Sequence, residues 1–190
     1  MKIRTDFVTN SSSSSFVTLR VESETLAKLF KKYENDFREL EGDFQVSENT
    51  VNVSVIESEC SCPETKYEII ESICELFEEL EEFTSDNLTD LVNKNKDKIL
   101  NDLKGFEITF STAGWEGDSD ERFDMNNYSE VQLKNYYEII AKEKGCSVDN
   151  VTSEDFYNFA LSKTSLSEHS VTYDEKTKEL IETNNFTLTD

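Results

Sequence analysis

The groups in this chain that could do chemistry are carboxylates, four thiols and a single imidazole. The densest loop of carboxylates is "GWEGDSDERFD", where Glu116, Asp118, Asp120, Glu121 and Asp124 follow Trp115. A calcium loop of the EF-hand kind needs oxygen ligands at alternating positions, a central glycine and a distal glutamate. Arg122 stands in the third ligand place, so the match fails. The Asp118 to Asp124 carboxylates with a divalent metal would suit a small hydrolase, but close acid pairs arise by chance in a chain with 41 acidic residues. Cys60, Cys62, Cys74 and His169 could supply four zinc ligands. Tetrahedral structural sites show two chelating pairs at short spacing, and only "CSC" is such a pair. Buried or idle thiols are the ordinary reading, and neither a metal nor a cofactor is expected. His169 is the sole histidine, and no nucleophile elbow or glycine-rich phosphate loop surrounds any Ser or Cys. The chain does not read as an enzyme.

The remaining chemistry is negative charge on a helix. From Glu64 to Glu82 the chain holds eight glutamates (Glu64, Glu68, Glu71, Glu75, Glu78, Glu79, Glu81 and Glu82) against one lysine, Lys66. Carboxylates at i, i+3, i+4 and i+7 on a rigid helix present spaced negative charge much as a nucleic-acid backbone does. The plainer reading is a solvated face on a chain that is acidic everywhere. Whole-chain charge, −22, points the same way as mimicry and disfavours direct binding to nucleic acid or an anionic membrane. Trp115 beside Gly114 in a long acidic loop suits partner contact; a Trp folded back onto the core is the alternative.

These residues need elements to hold them. Leu26, Leu29, Phe30, Tyr33, Phe37 and Leu40 repeat at helical spacing after Ser23 as N-cap, up to Gly42. Residues 44–58 change to a period of two, with "SENT" as a turn, which reads as a strand or hairpin. A second helix follows "CSCPET", with Pro63 and Glu64 in its first turn and Tyr67, Ile70, Ile73, Cys74, Phe77, Leu80 and Phe83 on its apolar face. A third runs from Ser85 or Asp86 to Leu103, gathers Lys94, Lys96, Lys98 and Lys104 toward its end as a helix dipole favours, and stops at Gly105.

Residues 106–112 alternate as a strand. Ser129 with Gln132 forms a capping box for a fourth helix ending at Gly145, and Thr152 with Asp155 caps a short fifth through Phe156, Phe159 and Ala160. Ala141, Gly145, Ser147 and Val151 have helix-turn-helix spacing, but the recognition helix would offer Asp149, Asn150, Glu154 and Asp155 to DNA, so a plain helix pair is expected. The tail reads as a β-hairpin turning near Glu175 to Thr177. The expected fold is one α+β domain over 1–190: a mixed, mostly antiparallel sheet with about five packed helices.

No stretch approaches 18 apolar residues, and no apolar region follows Lys2 and Arg4, so a soluble, cytoplasmic protein is expected. The opening "MKIRTDFVTNSSSSSFV" resembles that of many otherwise dissimilar uncharacterised proteins of Firmicutes and their phages. They begin Lys-Ile/Val-Arg and continue through Phe-Val-Ser/Thr-Asn and a serine run to Phe. The matching residues are Lys2, Ile3, Arg4, Phe7, Val8, Thr9, Asn10, Ser11, Ser12, Ser13, Ser14, Ser15 and Phe16. A shared opening on unrelated continuations implies a segment read by a modifying enzyme, for which five adjacent hydroxyls would be acceptors. A serine turn bonded to local backbone is the structural alternative.

Together these readings give a non-enzymatic, acidic protein-binding module that occupies a basic, nucleic-acid-binding surface of a partner. An anti-defence inhibitor of the anti-CRISPR type is its most concrete form. The candidate partner-binding residues are Glu68, Glu71, Glu75, Glu78, Glu79 and Glu82 on the second helix, with Trp115, Glu116, Asp118 and Asp120 in the loop. A covalently modified serine tract, Ser11 to Ser15, is the second reading, and the metal-dependent hydrolase the third.

Overall fold

The computed structural model describes residues 13–37, 43–56, 60–114 and 120–189. Alternation of apolar and polar residues places Val17, Leu19 and Val21 on the buried face of strand β1 (Ser13–Glu22). Ser23 then caps helix α1 (Glu24–Phe30), accepting from the Leu26 amide at 3.1 Å. A hairpin follows, β2 (Asp43–Val46) and β3 (Thr50–Ile56), in which Val46 faces Val51 and Phe44 faces Val53. Helices α2 (Ile69–Leu80) and α3 (Leu88–Asp102) lead to β4 (Gly105–Gly114). Helices α4 (Glu130–Lys144) and α5 (Ser153–Leu161) and strands β5 (Thr164–Asp174) and β6 (Glu179–Thr189) complete the chain. The strands form one antiparallel sheet in the order β2-β3-β1-β4-β5-β6, and the fold is α+β.

The chain divides into two compact units. In the first, residues 15–111 and 169–183, the buried sheet residues Val17, Leu19, Val21, Val51, Val53, Phe106, Ile108 and Phe110 form one core with the apolar stripes of α1, α2 and α3. Phe30 of α1 stacks on Phe77 of α2 with ring centroids 4.2 Å apart. In the second, which among the described residues holds 13–14, 112–114, 120–168 and 184–189, Tyr128, Ile140, Phe156, Phe159, Ala160 and Leu188 make a separate, largely aromatic core. Tyr128 meets Tyr136, Phe156 and Phe186 edge-on at 5.3 to 5.6 Å, and its hydroxyl donates to the Arg122 carbonyl at 2.7 Å.

Several boundaries differ from the sequence reading for local reasons. α1 ends at Phe30 and tightens into a 3-10 turn at Lys31–Tyr33, because Lys31 and Glu34 are drawn to the Val46 backbone; Phe37 is nevertheless buried. α2 begins at Ile69, not at Pro63: the Glu68 carboxylate folds back to the Glu64 amide at 2.8 Å, and Tyr67, expected on the apolar face, is 77% exposed. α3 carries no basic residue in its last turn; Asp102 stands there instead. That acid serves another helix end. It accepts from the Ser23 hydroxyl, from the Thr25 amide at 2.8 Å and from the Thr25 hydroxyl at 2.6 Å, so it sits at the amino terminus of α1, where a helix dipole favours negative charge.

Candidate partner-binding surface

The surface is built on α2. Its sequence, IIESICELFEEL, buries Ile69, Ile70, Ser72, Ile73, Leu76, Phe77 and Leu80, and the same periodicity that makes this stripe turns the glutamates away from the core. They are not equivalent. Glu75 is half-buried, accepting from the Ser61 amide at 2.6 Å and the Ser61 hydroxyl at 3.2 Å. Ser72 donates to the Ser61 carbonyl at 2.8 Å, and the Cys60 thiol reaches the Ser72 carbonyl at 3.3 Å. Glu75 and Ser72 therefore strap the segment carrying Cys60, Ser61 and Cys62 to the helix. Glu81, in the 3-10 turn Glu81–Phe83, accepts from the Thr89 amide at 2.8 Å and closes the first turn of α3 beside its cap, Asn87. Glu68 is occupied by the Glu64 amide, and Glu64 and Glu79 have further partners.

Besides Glu64, which is exposed, precedes the helix and has a partner, three of the eight are exposed: Glu71, Glu78 and Glu82. Among the described residues no hydrogen bond or ion pair holds any of them. Glu71 and Glu78, seven residues apart on α2, stand within about 20° of one line and about 10 Å apart, and Glu82 follows in the 3-10 turn Glu81–Phe83, off that line. The eight glutamates that the sequence groups together are thus three displayed charges and a set engaged within the fold. Nothing in the spacing separates them, because the decisive partner, Ser61, lies outside the helix.

Trp115, Glu116 and Asp118 lie outside the described residues. Asp120 opens a 3-10 turn, Asp120–Phe123. Arg122 is buried, at 1% exposure, and Asp124 caps the next turn by accepting from the Asn126 amide at 2.9 Å. Ser11 and Ser12 also lie outside the described residues. Ser13, Ser14 and Ser15 open β1, and Ser15 is 5% exposed, so its hydroxyl is closed to a modifying enzyme in the folded chain.

Cys60, Cys62 and Cys74 are held protonated at neutral pH. Burial, with Glu75 nearby, pushes the Cys60 thiol far above its ordinary range. Burial and the charge of Glu182 raise Cys62 to about 11, and burial with the glutamates of α2, Glu75 first, raises Cys74 to about 11. Cys60 and Cys74 face the carbonyls of Ser72 and Thr89 respectively, whereas His169 lies tilted against Phe110, ring centroids 6.0 Å apart, with Nδ1 3.6 Å from Glu182. Among the described residues no three His, Cys, Asp or Glu side chains converge as a metal site, and no helix is long and apolar enough to cross a membrane.

The helix pair α4–α5 is closed by the predicted capping boxes, Ser129 with Gln132 and Thr152 with Asp155. Gly145 adopts φ +65° between them, and the Cys146 amide reaches back to the Ala141 carbonyl at 3.0 Å. Asp155 accepts from Lys144 and from the amide and hydroxyl of Thr152, which lowers its carboxyl to about 2. Comparison with family models, with curated proteins and with solved structures gives no match for this chain.

Proposed function

We propose that this protein is a non-catalytic, acidic binding module whose partner is a basic, nucleic-acid-binding protein surface. The observation that carries the reading is the exposed pair Glu71 and Glu78 on α2, whose opposite face is anchored in the core, with exposed Glu82 in the 3-10 turn that follows. The backbone that carries these carboxylates is already ordered before it meets a basic groove, and a net charge of −22 adds long-range attraction. Charge density on the helix sets a limit. Two carboxylates about 10 Å apart are more widely spaced than the phosphates along one DNA strand. The pair alone is a sparser line of charge than the backbone it would replace, so occupation of a DNA groove draws on acidic residues beyond α2. An inhibitor of a bacterial defence nuclease is the most concrete form of this reading.

The test is capture of partner from nuclease-treated lysate of the source organism on immobilised protein. We expect the triple reversal of Glu71, Glu78 and Glu82 to Lys to lose the bound protein while keeping its circular dichroism. Glu75→Gln, which changes a strap residue, is expected to keep it. Equal capture by the wild type and the triple variant at low salt would remove the reading.

A further inference from the structure

The six-stranded sheet has two edges, β2 and β6. An edge presents unpaired backbone N–H and C=O groups that another strand can use, and proteins guard against this with short strands, charge, proline or a covering element. β2 is guarded. It is four residues long, and the outward groups of Val46 are taken by side chains: Glu34 accepts from its amide at 3.2 Å and Lys31 donates to its carbonyl at 2.8 Å. The carboxyl-terminal end of β6 is guarded by α4, where Gln132 donates to the Phe186 carbonyl at 2.9 Å and the Tyr136 hydroxyl accepts from the Leu188 amide at 3.0 Å.

These two bonds fix which residues of β6 point outward. In an antiparallel strand alternate residues direct both backbone groups to opposite sides. Ser170 meets Thr183 at 2.6 Å and Glu168 meets Asn185 at 3.5 Å, a matched step of two on both strands, so the register with β5 holds through this region. Even-numbered residues therefore face the edge, and Leu180 and Glu182 present N–H and C=O there. Among the described residues none bonds to them. Glu179, Ile181, Glu182 and Thr183 are exposed, and from Glu179 to Thr189 the strand has neither proline nor a basic residue.

We infer that residues 179–183 of β6 are a docking edge for an extended basic peptide segment, which adds to the sheet as a further antiparallel strand. Glu182 asks for Lys or Arg opposite it, and Ile181, 48% exposed on the other face, for an apolar β-branched residue. A second copy of the chain fits poorly because each carries −22, and two-fold pairing centred on Ile181 sets Glu182 against Leu180 of the other copy, with no cation opposite it. The edge is a different element from the α2 glutamates, and its test is independent of that reading.

The experiment is titration of ¹⁵N-labelled full-length protein with a blocked hexapeptide alternating Lys and Val, beside two analogues N-methylated on all Lys or on all Val amides. We expect the Leu180 and Glu182 amide resonances to move most. The Lys-methylated peptide, unable to donate to the edge, should bind about tenfold more weakly or worse, and the Val-methylated one unchanged. Equal binding by all three peptides, or shifts concentrated on α2 with Leu180 and Glu182 unmoved, would reduce the contact to nonspecific charge and overturn the inference. Concentration-dependent shifts at the same two amides without peptide would overturn it in favour of self-pairing.

Discussion

Whether a carboxylate in this protein serves the fold or faces solvent is decided by the backbone amides within its reach. Asp102, Glu75 and Glu81 each end on an amide of another segment, and Asp155 on the amide of its own cap. Sequence showed the Asp155 partnership because capping boxes have fixed spacing. It could not show the others, whose partners lie 77, 14 and 8 residues away with no spacing rule. Asp155 also makes a pH dependence. Its carboxyl is lowered from an unfolded value of about 3.9 to about 2 by Lys144 first and Thr152 second, so its contribution to stability is complete above about pH 4 and disappears as the pH falls toward 2. Melting temperatures of wild type and Asp155→Asn should converge over that interval on acidification; a constant gap would contradict the assignment.

At the scale of elements, helix ends carry the clearest signals. Gly145 was legible as the end of α4, and the structure gives the reason: its φ of +65° is the left-handed region that a side chain resists. An added Cβ would meet nothing within 4 Å, so Gly145→Ala should cost only that backbone strain, about 1–2 kcal/mol, read as a lower urea midpoint, with Gly145→Asn losing less. Equal midpoints for all three would show that the turn relaxes. The start of α2 was hidden because Pro63 and Glu64 mimic a first turn, while a side chain, Glu68, bends the chain before Ile69. The length of β5 was hidden for a different reason. Ser165, Ser167 and Ser170 dilute the apolar alternation, and the strand is held by pairing across the hairpin, which a single segment's pattern does not contain.

For the whole molecule, charge is the property that composition stated and the structure distributes. A chain with 41 acidic and 19 basic residues repels itself, yet its acids are partly absorbed by amides and by ion pairs such as Lys32 with Asp86 and Lys94 with Asp90. What remains displayed, with Glu71 and Glu78 on α2 and Glu82 just after it, is the surface proposed to compete with nucleic acid. The most direct measurement is competition for the captured partner. A labelled duplex is bound to that protein, followed by fluorescence anisotropy, and displaced with wild type or with the triple Glu→Lys variant at several salt concentrations. On this reading wild type displaces the duplex fully, with displacement weakening steeply as salt rises, and the variant displaces none. A ternary complex in which the duplex stays bound, or equal displacement by both proteins, would contradict it.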